Sequence, residues 1–195
     1  MSHDPVAINP VAILEDLVRI NSVNAFYRGG PGEARLAGYI QAFWESMGIE
    51  CWRQEVLPAT DRIASRSNVI ARLPGMSSDR RLLLEAHMDT VSVEGMTISP
   101  FAPEIREGRL YGRGACDTKA GLACMMAAVA DAKHRGIVPR SEVWMASVVD
   151  EEFSCLGVTR LCEGLKASAA IVAEPTEMQT VVRSEEHTSE LQSRQ

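Results

Sequence analysis

An α/β fold, with helices packed on a central sheet, is what this sequence predicts, on three observations. Stretches with apolar residues at helical spacing alternate along the chain with short apolar runs of strand length. Three of those runs, LLLEAH, SEVWMASVVDEE and ASAAIVAEP, close on a histidine or an acidic residue: His87, Glu151 with Glu152, and Glu174. Between them GRGACDTKAG, at 112–121, has the glycine content of a sharp turn into a helix.

The elements follow in order. Asn9 can cap a helix with Pro10 in its first turn, and Val11, Leu14, Leu17 and Val18 would line one face. A second helix is expected over 33–47, with Leu36, Ile40, Phe43, Trp44 and Met47 on its buried side and Gly48 ending it. Short strands are expected at 50–56, 68–73 and 81–86, then a hairpin-like stretch through 105–113. The helix at 120–135 presents Leu122, Met125, Met126 and Val129, a methionine-rich face of the kind that belongs to a core. Gly136 closes it. Strands at 142–149 and 169–173 flank a short helix at 158–165, and in an open α/β sheet sites gather where such strand ends converge.

Composition narrows the function. A length of 195 residues, 46% of them hydrophobic, suits one globular domain with a sizeable core. A net charge of −6, with no basic stripe interleaved with aromatics, argues against general nucleic-acid binding. No run of about 18 apolar residues offers a membrane span. The opening MSHDPVAINP lacks the features of a signal peptide, so a cytoplasmic location is the default expectation. The five cysteines form no CxxC pair and leave one odd, so disulfides are not expected.

The chemistry lies in four islands: AHMDTV at 86–91, GRGACDTKAG at 112–121, VVDEEF at 148–153 and AEPT at 173–176. They supply His87, Asp117, Glu152 and Glu174. One neutral imidazole with three carboxylates suits borderline divalent ions such as zinc, and a shared carboxylate lets two ions sit close together. Alone, the acidic triplet of VVDEEF would read as a solvated charge cluster. Following an apolar strand and lying between the other candidate ligands, it reads as functional.

In order and wording these islands resemble the M20 family of metallopeptidases, and most closely its acetylornithine deacetylase and succinyl-diaminopimelate desuccinylase branch. The resemblance runs over 11–182 and rests on HxDTV, GRGxxDxKxG, DEE and EPT recurring in sequence. It implies an α/β, three-layer, zinc-dependent exopeptidase-like catalytic domain, here incomplete. It makes His87 a ligand of one ion with Glu174 as its partner, Asp117 the bridging ligand, Glu152 a ligand of the second ion, and Glu151 the general base. Two divalent ions are expected, zinc with cobalt as the alternative. Asp89, two residues after His87, would accept the proton on the imidazole nitrogen turned away from the metal. Adjacent carboxylates at 151 and 152 point in different directions, so one can bind metal while the other holds the attacking water. The resemblance also implies a cis peptide between Asp117 and Thr118.

Other residues have plainer readings. Cys116, beside Asp117, has no histidine nearby in sequence to activate it and reads as core filler. Lys119 is expected to support the loop electrostatically. GRGACDTKAG lacks the GxxxxGK[ST] spacing of a phosphate loop. His134, between Lys133 and Arg135 in the last turn of its helix, suits the helix dipole better than a metal.

The chain divides into 1–182, the N-terminal part of the catalytic domain, and 183–195, a non-native tail. RSEEHTSELQS, at 183–193, is the first-frame translation of a widely used sequencing adapter, which makes His187 an accident and not a ligand. Members of the family continue into a second, dimerisation-type domain and return with a late histidine ligand. The parent is therefore expected to be a metal-dependent amidohydrolase that removes the acyl group of small N-acyl amino acids, using metal-activated water, and to dimerise through the missing domain. A di- or tripeptidase or carboxypeptidase is the alternative within the family. For the chain as written, the alternative of another class is a non-catalytic metal-binding fragment.

Overall fold

The structure, a computed structural model, describes residues 8–57 and 65–176. The expectations for 183–195 and for His187 lie outside the described residues. Helix α1, Pro10–Arg19, is capped by the Asn9 side chain, which accepts from the Val11 amide. Its buried face is Ile13, Leu17 and Val18, whereas Val11 is 45% exposed, so the expected face is corrected at its first position. The apolar residues here are dense enough to fit more than one stripe, and packing against the helix at 119–134 chooses between them. Helix α2, Ala34–Ser46, buries Leu36, Ala37, Ile40 and Trp44.

Strands β1 (Glu50–Leu57), β2 (Arg66–Leu73) and β3 (Ser77–His87) precede a small hairpin of β4 (Glu104–Arg106) and β5 (Arg109–Tyr111). Helix α3 (Lys119–His134), β6 (Ser141–Val148), helix α4 (Leu156–Cys162) and β7 (Ala169–Val172) complete the described elements. The sheet order is β1-β2-β6-β3-β7, antiparallel at its β1-β2-β6 end and parallel where β6, β3 and β7 lie together. Two layers of core cover it. On one face Trp44, Leu36, Leu122 and Met126 pack on Val69, Ala71, Met145 and Ala86, and α1 packs on α3. On the other, Leu161 of α4 closes over Ile70, Leu83, Ala146 and Val148. Successive sheet residues go to opposite sides, as the period of two requires.

The apolar run at 169–173 has the composition of a covered strand. In the structure β7 is exposed at each of its residues, with Ile171 at 52% and Val172 at 56%. Its apolar run carries no alternation that could have distinguished a covered strand from an edge.

Two local features fix how these elements meet. Glu142, at the start of β6, accepts from Arg72 of β2, Arg81 of β3 and the Trp144 indole, stitching three strands together. Burial pushes its carboxyl up, but those donors outweigh burial and hold it below the usual range. Gly121, in the first turn of α3, lies so close to the end of β7 that an added Cβ would sit 2.5 Å from the Ala173 Cβ.

Both features are testable. Helix propensity alone would make Gly121→Ala stabilising by about 1 kcal/mol; the contact with Ala173 reverses the sign, so a lower urea midpoint is expected. For Glu142, the depressed folded value places the ion pairs' contribution above the unfolded carboxylate pKa and removes it as pH falls through the folded one. The difference in urea midpoint between the unmodified chain and Glu142→Gln should therefore be full at neutral pH and shrink below about pH 4.

Candidate metal centre

Parallel strands deliver their carboxyl ends to one side of the sheet, and that is where the acids gather. His87 is the last residue of β3, and Glu151 and Glu152 follow β6 after a turn at Asp150, whose φ is +67°. Asp117 comes from the loop before α3, with its peptide to Thr118 in the cis form, and Glu174 follows β7. Asp117 Oδ1 lies 3.0 Å from His87 Nε2, and Glu151 Oε2 lies 3.8 Å from the same nitrogen. Two groups of possible ligand atoms share His87: His87 with Asp117 and Glu152, and His87 with Glu151 and Glu174, each within 4.8 Å. All five residues singled out for the centre are thus brought together. A cleft of about 240 Å³ opens beside them, lined by Gly114, Cys116, Asp117, Glu152 and Pro175 among others. Cys116 is exposed there, so it fills no core.

Asp89 meets the His87 ring as expected, but through its backbone and not its carboxylate. The His87 ring makes its hydrogen bond through Nδ1 to the Asp89 backbone carbonyl, at 2.9 Å, while the Asp89 carboxylate stands 3.6 Å away. That carboxylate accepts instead from the amides of Glu151 and Glu152, at 3.1 Å each, and from the Asn24 carboxamide at 2.7 Å. Asp89 therefore holds the turn that carries both glutamates as well as orienting the imidazole. Lys119 is also more specific than foreseen. It is fully buried, donates to the carbonyls of Leu17 and Ile20 at the end of α1, and is pushed down to about 7 by burial.

Sequence reasoning missed the polar layer beneath the site. Arg66 grips Glu33 through both Nε and Nη2 and donates from Nη2 to Asp150 at 2.9 Å. Asn24 reaches Asp150 at 2.9 Å, and the Asp150 amide donates to Glu33. Glu85, two residues before His87 on the same face of β3, is also buried. The available signal was Glu85 within the apolar run LLLEAH; Arg66 stands before the strand expected at 68–73, beside Ser67 and Asn68, and gave none. A buried charge needs a partner, but the sequence does not say where it comes from.

Electrostatics test whether the donor set fits a cation. Burial, with the charges of Asp117, Glu151 and Asp89, raises Glu152 to about 7 against the opposing pull of His87. Burial, Glu174 and Glu151 likewise raise Glu85 to about 7. Burial works against a charged His87, but Asp117, Asp89 and Glu151 prevail and lift it well above its usual value. The carboxylates outnumber the positive charge available to them, an imbalance that a divalent ion would compensate. An imidazole with oxygen ligands at this spacing fits zinc or a similar ion.

Residues 83–188 match the family described as Peptidase family M20/M25/M40. A succinyl-diaminopimelate desuccinylase of Rhodospirillum centenum is 33% identical over 183 residues, covering 88% of this chain and 44% of that protein. An acetylornithine deacetylase of Myxococcus xanthus is 34% identical over 146 residues, covering 73% of this chain and 37% of that protein. Among solved structures, the aminopeptidase PepT of Bacillus cereus superposes with a TM-score of 0.66 at 26% identity, over 85% of this chain and 43% of that one. The chain spans less than half the length of each of these relatives.

The polar layer gives a stability test. Arg66→Met leaves Glu33 and Asp150 buried without their cation, and removing one partner of a buried pair typically costs about 3–5 kcal/mol. Chemical denaturation should show a loss of that size.

Proposed function

The chain belongs to the M20/M25/M40 peptidase family, and from that premise we propose that it carries most of the metal centre of an amidohydrolase acting on small N-acyl amino acids. The observation that supports this most is the pair of ligand groups sharing His87 at the end of β3. His87, Asp117, Glu152 and Glu174 would hold two divalent ions, zinc or cobalt. Such ions, when bound, acidify water and polarise an amide carbonyl.

The remaining chemistry belongs to side chains of the chain itself. The Asp89 carbonyl fixes the His87 ring through Nδ1 and leaves Nε2 facing Asp117. Glu151, whose carboxylate lies within 4.8 Å of both His87 and Glu174, would take a proton from the water that attacks the amide carbon. It then returns that proton to the departing amine, so one carboxylate serves as base and then as acid. The Asp89 carboxylate, by holding both amides of the turn, keeps Glu151 and Glu152 aimed at one point.

The preference for an N-acyl amino acid over a short peptide rests on likeness to the desuccinylase and the deacetylase. Likeness to aminopeptidase PepT favours the second reading, a di- or tripeptidase or a carboxypeptidase with the same chemistry. The 195-residue chain, spanning less than half of those proteins, is itself proposed to be an inactive, metal-binding fragment of a cytoplasmic parent that dimerises through its further domain. Among the described residues no helix is long and apolar enough to cross a membrane.

The test uses the product of the uninterrupted reading frame, loaded with zinc and assayed for amine release from N-acetyl and N-succinyl amino acids and from di- and tripeptides. Hydrolysis of peptides alone would favour the second reading. Glu151→Gln should keep its zinc, by elemental analysis, while kcat falls at least ~10²-fold. Asp117→Ala should lose zinc and activity together. Equal zinc loss in both variants would mean that Glu151 and Glu152 have exchanged roles.

A further inference from the structure

The Glu151–Glu152 pair leaves the sheet through a turn held from within by the Ser154 and Cys155 amides, which donate to the Asp150 carbonyl, and by the Ser154 hydroxyl, which donates to the Asp150 carboxylate; its link to Asp89 comes from elsewhere in the chain. Asp150 takes a left-handed backbone, unusual for a residue with a side chain, and sits at 0% exposure. Its carboxylate and that of Asp89, also at 0%, have to lie side by side, because Asp89 must accept the two glutamate amides. Arg66 and Ser154 donate to Asp150 from other directions, but neither joins it to Asp89, and two buried carboxylates in that position repel unless a donor stands between them.

Asn24 is that donor. Segment 22–24 runs beside the end of β3, with the Asn24 amide donating to the Thr90 carbonyl and the Thr90 amide to the Ser22 carbonyl. This puts the Asn24 side chain, fully buried, between the two acids. Nδ2 donates one proton to Asp89 Oδ2 at 2.7 Å and the other to Asp150 Oδ1 at 2.9 Å. Oδ1 accepts from the Phe26 amide at 3.0 Å, an Asx turn that fixes the carboxamide's orientation. With two acceptors on one side and a donor on the other, only one orientation of the amide satisfies the network. Aspartate could not donate to both acids, leucine could donate to neither, and serine has a single proton on a shorter arm.

We infer that Asn24 is a positioning residue for the Glu151–Glu152 pair, its carboxamide clamping Asp89, which holds both glutamate amides, to Asp150, which turns the chain into them. The inference rests on the reading of Glu152 as a metal ligand and Glu151 as the base. Asn24 acts through Asp89 and Asp150, and its loss removes the link between them, leaving Asp150 to Arg66 and Ser154 and Asp89 one donor short.

The test follows amide hydrogen exchange and zinc binding on the 195-residue chain and on its variants Asn24→Leu and Asn24→Ser, the second being the milder should the first fail to fold. The amides of Glu151 and Glu152 should be protected in the unmodified chain. In the variants they should exchange at least about tenfold faster while those of Met145 and Ala146 in β6 keep their rates, which a general loss of stability would not produce. Zinc affinity should fall by about 10- to 100-fold, as when a partner of a metal ligand is removed. Unprotected glutamate amides in the unmodified chain, protection unchanged in the variants, loosening spread evenly through β6, or loosened amides with unchanged zinc affinity would each overturn the inference. Failure of the unmodified chain to bind zinc would instead refute the metal centre, and the exchange rates would then decide the role of Asn24 by themselves.

Discussion

The Asp89 carboxylate is sealed from water, and the arrangement of the site depends on its staying ionised. Burial pushes its pKa up, but the His87 ring, the Asn24 carboxamide and the Glu152 amide outweigh burial and hold it below the ordinary carboxylate range. A protonated Asp89 would give up acceptor capacity that two backbone amides require. Beneath it Glu33 is in the opposite balance, its carboxyl raised because burial exceeds what the Arg66 fork returns. One guanidinium therefore serves two buried acids, Glu33 and Asp150, and the layer has little charge to spare. Such a layer gives direction to the turn above it more than it adds stability, since buried ion pairs rarely outperform apolar packing.

Much of the fold was legible because its signals are local. A capping asparagine before a proline, a glycine after an apolar helical face and an apolar run ending on an acid each act within a few residues, and α1, α2, α3 and β6 follow from them. The errors came where only tertiary contact decides. Val11 lost to Ile13 because helix α3 selects which stripe of α1 is buried, and β7 reads like a covered strand although each of its residues is exposed. The hairpin of β4 and β5 is short enough that its bounds were blurred into one stretch.

The site divides in the same way. His87, Asp117, Glu151, Glu152 and Glu174 stood out because each ends a strand or opens a helix, so position on the chain already implied position on the sheet. Asn24, Glu33 and Arg66 did not, because their partners lie tens of residues or more away: 126 between Asn24 and Asp150, 84 between Arg66 and Asp150. A polar residue in a loop or a strand announces a need for partners without naming them. The carbonyl of Asp89 was invisible for another reason, since a backbone oxygen is present at every position and only the fold selects one.

Lys119 joins two parts of the molecule that the sequence sets a hundred residues apart. Its amine, two positions after Asp117, has traded solvent for the carbonyls at the end of the first helix: Ile20 gains a donor, and Leu17, which already accepts from the Ile20 amide, gains a second. Helix α1 is for this reason a supporting wall of the loop that carries Asp117. A protease that removed it would leave a buried amine with no acceptors, and the loop would relax toward water to find them, carrying away an acid that no cut had touched.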